Sequence, residues 1–381
     1  MQFLLGVSNT IITFFLTSLL FLTYIIYALL KQKVVLNKFV FVALIYVLII
    51  LGTAITRQSS LLLTITYLIF PLLPFGVYLF SFINFKEGYL SFQTIFKLFY
   101  YIALVQLPVM LVQKNFFNFL IKFNNSGQKI EWFDFMFGSF FIKSDHSLGV
   151  YLLLIISVLL FRKNEVSKIV KSPKLAIIYL SVTLFLTESN ISKLLLVILI
   201  STFLIVPIYK KYGSTLKFKI SVLMLVVTMA TLGYNLKEKQ FIQNKLGGKL
   251  EKQLSVENAK KYYELGTAKR FQIILIAATQ VETKWIGDGP YSYFDIRTGV
   301  FKQTRHFTQL IWSYYDLGLF GLFVVFAYIV CILGALDIEK GIPFVFALGV
   351  FMVYALYTTI LSDIAIMFGV VSLFNRNNLA V

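Results

Sequence analysis

Two histidines and six arginines are the side chains in this sequence best suited to proton transfer and to anion binding. His306 follows Arg305 directly before a long apolar run, and Arg270 and Arg297 precede them in the same stretch of chain. A neutral imidazole can accept a proton from a hydroxyl group, and a planar guanidinium can bind two phosphate oxygens at once. We therefore predict that His306 is a general base beside three phosphate-binding arginines. The alternative is an interfacial histidine next to a solvated basic face.

The turn LTESNISKLLL, at 186–196, contains a further candidate cation, Lys193, near the start of a predicted helix. A charged side chain at a membrane boundary favours a functional role with a definite partner. Lys193 is predicted to hold a phosphate; the alternative is a side chain that snorkels to the interface as a neighbour of Glu188. His146, in KSDHSLG, follows two residues that commonly cap helices, so we interpret it as part of a capping region.

Three aromatic residues near the arginines, Trp285, Tyr291 and Tyr293, are candidates for stacking on the faces of sugars. Aromatic belts at membrane interfaces use the same residue types, which is the alternative interpretation. Asp316 lies ten residues beyond His306, about 15 Å further along a helix. A carboxylate at that depth is predicted to be buried against another helix or to line a cavity.

Several kinds of site are absent from the sequence. There is no GxxxxGK[ST] phosphate loop, so we do not expect ATP to drive this protein. There is also no Asp-x-Asp pair and no histidine and cysteine cluster to ligate a divalent metal, so we predict that neither a metal nor another cofactor is used. The single cysteine, Cys331, excludes an intramolecular disulfide.

The composition indicates an integral membrane protein. The 381 residues are 59% hydrophobic and 17% aromatic, with a mean hydropathy of +0.82, far above the values of ordinary soluble domains. The net charge of +18 is carried mostly by lysines and arginines between apolar segments. Membrane topology and anionic lipid explain this charge better than nucleic acid does, so we expect no nucleic-acid partner. The predicted fold class is an all-α polytopic bundle.

A helix of about 20 apolar residues spans a bilayer core, and the sequence contains about eleven such segments. They are predicted near 8–30, 37–56, 60–81, 94–113, 146–162, 174–188, 191–209, 218–235, 307–333, 342–361 and 363–375.

The loops between these segments predict the orientation. Basic loops at 31–33, 162–174 and 210–219 fall on one face by alternation, and lysine and arginine collect on the cytoplasmic side. We therefore predict a periplasmic N-terminus, a cytoplasmic C-terminus and two long periplasmic loops, 114–145 and 235–306.

The loop 235–306 separates the helices predicted in 1–234 from those predicted in 307–381. It carries thirteen basic and seven acidic residues, a net charge of +6, which predicts an anionic partner. Inside it, TAKRFQIILIAATQVETKWIG reads as an amphipathic helix on the membrane surface or on the bundle. Its predicted apolar face consists of Phe271, Ile274, Leu275, Ala278, Val281 and Trp285.

The order of motifs between 266 and 325 resembles the O-antigen polymerase and O-antigen ligase family. Arg270 opens an amphipathic helix, Gly-Asp-Gly follows at 287–289, His306 precedes a membrane span, and LGLFGL follows at 317–322. Lys193 also stands where that family often has an arginine. The asparagine that commonly follows the family histidine is Phe307 here.

The resemblance implies that the arginine binds a lipid-linked pyrophosphate and that the histidine activates the acceptor. It implies a GT-C-like membrane glycosyltransferase that is metal-independent and inverting and acts on the periplasmic face of the bacterial inner membrane. The expected substrates are undecaprenyl-pyrophosphate-linked glycans as donor and acceptor, with membrane lipid and a chain-length regulator protein as candidate partners. The alternatives are the ligase, which transfers glycan to lipid A-core, and a flippase for the same lipid-linked oligosaccharide.

Overall fold

The structure is a computed structural model that describes most of the chain. The described residues are 2–31, 38–142, 145–187, 189–212, 215, 224, 255–264, 270–279, 284–292, 308–334 and 342–374. The chain divides into two compact units. The first contains 1–197, 284–291 and 308–381, and the second contains 198–283 and 292–307.

Within the described residues the secondary structure is helical, without strands. The helices are α1 Gln2–Leu5, α2 Asn9–Lys31, α3 Lys38–Thr56, α4 Leu61–Tyr67, α5 Ile69–Lys86, α6 Phe92–Asn115, α7 Phe117–Leu120, α8 Asp145–Phe161, α9 Lys163–Val166, α10 Pro173–Leu186, α11 Asn190–Tyr212, α12 Val256–Glu264, α13 Arg270–Thr279, α14 Gln309–Gly334, α15 Ile342–Tyr357 and α16 Ile364–Phe374. Short 3₁₀ turns occupy Ile121–Phe123 and Trp132–Phe135.

The apolar runs form the helices that the sequence predicts, because an apolar environment requires every backbone group to be bonded within the segment. In the described part of the chain, five apolar stretches are long enough to cross a membrane: α2, α3, α4 with α5, α6 and α14. The all-α membrane class is therefore confirmed. The number of eleven spans stays a prediction, since five other apolar helices are shorter and the segment 218–235 lies outside the described residues apart from Met224.

In the first unit, α14 packs along α3, α2 packs on α5, and α16 packs between α5 and α8. The Tyr328 hydroxyl on α14 donates to the Pro71 carbonyl of α5 over 2.6 Å. The Tyr328 ring stacks on Phe39 with ring centroids 5.1 Å apart. The helices are thus joined by aromatic packing together with isolated polar contacts.

The loop predicted at 114–145 folds onto the start of the chain. Ile130, Phe135, Phe137 and Ile142 form a small buried cluster, against which Phe3 packs. The Ile142 N–H donates to the Gln2 side-chain oxygen over 2.9 Å. This loop therefore has a small apolar core of its own.

In the second unit, α12 and α13 pack against each other. Among the residues of α13 whose burial is described, Gln272, Ile273 and Ile276 are buried, whereas Ile274 and Leu275 of the predicted apolar face are partly exposed. The predicted extent of this helix, through Trp285, is wrong, because Trp285 and Ile286 form a bend in the first unit. The Lys284 and Trp285 carbonyls accept hydrogen bonds from α14 instead.

Candidate functional site

The helix α14 is broken at Gly318, where φ is 74° and ψ is −160°. This break leaves the carbonyls of the preceding turn without intrahelical donors. The Tyr315 carbonyl accepts from the Asp288 N–H over 3.1 Å, and the Asp316 carbonyl accepts from the Gly289 N–H over 2.9 Å. Both donors belong to residues 284–291, which we call the docking segment.

The amides that follow the break are satisfied by the same segment. The Leu319 N–H donates to the Lys284 carbonyl over 2.9 Å, and the Phe320 N–H donates to the Trp285 carbonyl over 3.3 Å. The docking segment thus bonds to the four backbone groups that a regular helix would pair with one another at this position. In an apolar environment this compensation makes the break tolerable.

Glycines allow the two backbones to approach. A β-carbon on Gly287 would collide with the backbone of Asp316 and Leu317, and one on Gly289 would collide with the Ser59 hydroxyl. The φ of Gly289 is +107°, a conformation open mainly to glycine. The Gly-Asp-Gly motif therefore contacts the LGLFGL motif. The two motifs begin thirty residues apart in the sequence.

A group of charges secures the docking segment at its exposed side. The Arg57 Nε, at the end of α3, donates to the Gly287 carbonyl over 2.8 Å. One Arg57 guanidinium nitrogen lies 3.9 Å from the Asp288 carboxylate, and the Lys284 ammonium binds the same carboxylate over 2.9 Å. These side chains are about two-fifths exposed, so the backbone hydrogen bond contributes more than the ion pairs do.

Behind the docking segment lies a buried polar group centred on Asp316, which is fully buried. Tyr46 and Tyr67 are also fully buried, and Asp316 interacts electrostatically with both and with Tyr291. Of the two positions predicted for Asp316, the structure has the one buried against other helices. The fully buried Gln309 amide, two turns earlier on α14, has no hydrogen-bond partner among the described residues.

Tyr291 closes the docking segment in a left-handed backbone conformation, with φ of 60°. Its ring packs edge-on against Tyr67 and Trp312, with centroids 5.1 and 5.5 Å apart. Burial raises the pKa of the Tyr291 phenol to about 12, and the nearby Asp316 carboxylate acts in the same direction. The phenol is therefore neutral at physiological pH.

A second polar group lies where α8, α11 and α15 meet. The His146 Nδ1 is 2.8 Å from the Ser189 hydroxyl, which is 2.6 Å from the Ser192 hydroxyl. The Ser192 hydroxyl is 2.8 Å from the Tyr354 hydroxyl. The two serines are fully buried and Tyr354 nearly so, whereas the imidazole is partly exposed. We call the linked hydroxyl groups of Ser189, Ser192 and Tyr354, which end at the imidazole of His146, the hydroxyl chain.

Neighbouring contacts show that several helices end at this point. The Ser147 hydroxyl, on the first turn of α8, donates to the Asp363 carboxylate. Asp363 in turn caps α16 by accepting from the Ile366 N–H over 2.9 Å. The Gln309 N–H at the start of α14 donates to the Thr358 carbonyl just after α15 over 3.2 Å. The hydroxyl chain thus lies at one end of the bundle.

Lys193 belongs to this end of the bundle because it follows Ser192 on the first turn of α11. Its backbone N–H donates to the Ser189 carbonyl over 3.2 Å, and its side chain is partly exposed. No carboxylate of a described residue lies within salt-bridge distance of it. Lys193, which the sequence predicts to bind phosphate, and His146, which it predicts to be a capping residue, therefore lie at the same end of the bundle.

The other predicted site residues are distributed differently. Arg270 begins α13 in the second unit. Trp285, in the docking segment, is 60% exposed, and its ring contacts Phe320 with centroids 5.4 Å apart. Tyr291 is turned inward, as described above. The remaining predictions, Tyr293, Arg297, Arg305 and His306, lie outside the described residues.

Comparison with known proteins supplies no identification. No family model matches the sequence, and neither curated proteins nor solved structures provide a match. The site must therefore be interpreted from its own residues. In the described part of the chain, no group of three histidine, cysteine, aspartate or glutamate side chains could hold a metal ion.

Two features of the site were missed in the sequence. Ser189 and Ser192 have the i, i+3 spacing of a helix cap, and the Ser192 N–H indeed donates to the Ser189 hydroxyl over 3.4 Å. That spacing could have drawn attention to the turn, but its contact with His146 crosses 43 residues. The contact between Arg57 and the Gly287 carbonyl could not be predicted from the sequence, because the two residues are 230 positions apart.

Proposed function

We propose that this protein is an inverting glycosyltransferase that polymerises polyprenyl-pyrophosphate-linked oligosaccharide repeat units. The repeat units are of the O-antigen or capsular type, and the reaction occurs on the periplasmic face of a bacterial inner membrane. The motif order around Arg270 and His306 is the sequence-based support for this proposal. The structural support is the composition of the site at the end of the bundle.

The observation that carries the proposal is that Lys193, on the first turn of α11, lies at the same end of the bundle as His146 and the hydroxyl chain. An ammonium group is suited to an anionic ligand, and an imidazole is suited to proton transfer near neutral pH. Both lie at one end of an apolar helix bundle, where a lipid-linked substrate would present its pyrophosphate and sugars. Transfer from a pyrophosphate to a sugar hydroxyl requires these two kinds of group.

The bundle end that contains Lys193 is periplasmic in this proposal. The loop 162–172 between α8 and α10 is rich in lysine, and it follows the other end of α8. Basic loops collect in the cytoplasm, so the end of α8 that carries His146 faces the periplasm. Lipid-linked repeat units are polymerised there after they have crossed the membrane.

In the proposed reaction, the acceptor hydroxyl oxygen attacks the anomeric carbon of the donor, and the bond from that carbon to the pyrophosphate breaks. The leaving polyprenyl pyrophosphate keeps the electron pair, so its developing charge must be stabilised. Lys193 is the described candidate for this role, and Arg270, Arg297 and Arg305 are the candidates from sequence. The sequence favours His306 as the base that takes the hydroxyl proton.

The proposal is tested by the surface polysaccharide of a deletion strain that expresses wild-type protein or a variant at matched levels. We expect a ladder of repeat units from the wild type. Lys193→Gln and Arg270→Ala should each reduce polymer formation about 100- to 1000-fold, which is the effect of removing one charge-stabilising donor. The matched control is Lys174→Gln, which changes an exposed lysine on the first turn of α10.

The rival functions give different products in the same strains. A deletion strain that accumulates long, unligated lipid-linked chains would identify a ligase and overturn the polymerase proposal. Single lipid-linked repeat units retained on the cytoplasmic face would identify a flippase and overturn it as well. Core carrying one repeat unit, restored to a ladder by the wild-type gene, would support the polymerase.

A further inference from the structure

We propose that His146 is the residue that accepts the proton from the acceptor sugar in the reaction above, with the hydroxyl chain as its positioning network. This inference rests on the proposed function and assigns its base to a residue that the sequence suggested was a capping residue. His146 and its network differ in burial. The imidazole is partly exposed, whereas Ser189, Ser192 and Tyr354 are 0%, 0% and 2% exposed.

Because the three hydroxyl groups are buried, they hydrogen-bond to one another and to the imidazole rather than to solvent. Their separations of 2.6 and 2.8 Å are the usual lengths of hydroxyl hydrogen bonds. A buried chain of this kind holds its members in one geometry, because any rotation would leave a hydroxyl unsatisfied. The chain therefore fixes the imidazole of His146 through its Nδ1.

The direction of the chain decides which nitrogen is basic. When the Nδ1–H donates to Ser189, Ser189 can donate to Ser192, and Ser192 can donate to Tyr354. The neutral ring then carries its lone pair on Nε2. When Nε2 accepts a proton, both nitrogens become donors, and the Nδ1–H bond to Ser189 persists and strengthens. In this direction the chain stabilises the imidazolium that proton transfer produces.

The charged and titratable groups around His146 fit this role. Lys193 on α11 is one turn from Ser189 and can hold the pyrophosphate of the donor. Asp363, before α16, has its carboxylate engaged by the Ser147 hydroxyl and the Ile366 N–H, so it acts as a structural link between α8 and α16. Tyr354 on α15 ends the hydroxyl chain.

The proposed step moves one proton and exchanges one bond at the anomeric carbon. The acceptor hydroxyl proton moves to Nε2 of His146 while its oxygen forms a bond to the anomeric carbon. The bond between that carbon and the pyrophosphate oxygen breaks, and the electron pair remains on the leaving group. The imidazolium then releases the proton to solvent, to which the residue is partly exposed. No oxidant, metal or further reactant is required.

The alternative role for His146 is purely structural, in which it only bridges α8 and α11 through Ser189. A structural histidine would affect stability without changing how the rate depends on pH. If His146 is the base, the rate should fall at low pH, because a protonated imidazole cannot accept the hydroxyl proton. We call this fall the acidic limb of the pH profile. These two roles are therefore separated by the pH profile.

The test uses full-length protein in nanodiscs with lipid-linked repeat unit purified from the deletion strain, and follows initial polymerisation rates between pH 5 and 9. His146→Gln should lower kcat about 10²- to 10⁴-fold and abolish the acidic limb. Tyr354→Phe should lower kcat about 3- to 10-fold and move the limb to lower pH, because the imidazolium loses support. Size-exclusion profiles and thermal unfolding verify that each variant is folded.

Tyr179→Phe is the matched control, because the Tyr179 hydroxyl bonds to the Leu104 carbonyl between α10 and α6. It should retain the wild-type rate and pH profile.

A wild-type rate in His146→Gln, or an unchanged acidic limb in folded Tyr354→Phe, would overturn the inference. Loss of the limb in His306→Gln with its retention in His146→Gln would also overturn it while supporting the proposed function. An absence of polymerisation by the wild type would instead overturn the proposed function.

Discussion

Gly287 and Gly318 lie so close that a β-carbon on Gly318 would approach the Gly287 nitrogen to 2.7 Å. One glycine belongs to the docking segment and the other is the point at which α14 breaks. The contact explains why both positions lack a side chain. It also explains why α14 can be interrupted within the apolar bundle, since the docking segment supplies the missing backbone partners.

Gly318→Ala should destabilise the protein strongly. A β-carbon would collide with the Trp285 carbonyl at 2.6 Å, and the backbone conformation at this position costs a residue with a side chain about 1–3 kcal/mol. We expect the free energy of unfolding to fall by at least about 2 kcal/mol, measured as a lower melting temperature in detergent. Gly52→Ala is the control, since no atom lies within 4 Å of its added carbon. An unchanged melting temperature for Gly318→Ala would show that α14 and the docking segment do not meet as described.

Arg57→Ala should loosen the docking segment without unfolding the bundle. It removes the 2.8 Å hydrogen bond from the Arg57 Nε to the Gly287 carbonyl. Because the side chain is partly exposed, the expected loss of stability is about 1 kcal/mol. Hydrogen exchange of the amides in 284–291 should accelerate in this variant. Lys129→Ala, which removes a highly exposed ion pair with Glu131, should leave their exchange unchanged; equal effects in both variants would contradict the assignment.

Gly149→Ala should disrupt the hydroxyl chain by displacing Ser192. A β-carbon at Gly149 would collide with the Ser192 hydroxyl, so Ser192 would be displaced from its bonds to Ser189 and Tyr354. We expect a loss of polymerisation in the complementation assay together with a lower melting temperature. Gly349→Ala, on α15 with no atom near its added carbon, should behave as wild type. A normal ladder from Gly149→Ala would indicate that the chain is dispensable.

Tyr291 should make the protein sensitive to alkali. Its folded-state pKa of about 12 lies above the unfolded value of about 10. The neutral phenol is therefore favoured by folding, and stability is fully present below about pH 10 and is lost as the pH rises through 12. The loss attributable to this group is on the order of 2–3 kcal/mol. Tyr291→Phe should unfold less steeply between pH 10 and 12 in a circular-dichroism titration; an identical slope would contradict the burial of the phenol.

The sequence by itself determined the fold class and the positions of most helices. Runs of apolar residues such as Lys38–Thr56 and Phe92–Asn115 have a local cause, since each must bond its own backbone in an apolar environment. The sequence also drew attention to Lys193 and to the glycine motifs, because charges and glycines are conspicuous in apolar surroundings. The roles predicted for His306, Arg270, Arg297 and Arg305 stay predictions.

Only the tertiary structure decided which residues meet. The predicted helix through Trp285 does not continue, because residues 284–291 bond to the break at Gly318, which no local pattern reveals. His146 was interpreted as a capping residue because its neighbours in sequence favour that role, whereas its partner Ser189 lies 43 residues away. Local periodicity reflects the backbone hydrogen bonding of each segment. The site depends instead on contacts between distant segments, and those are fixed by how the helices pack.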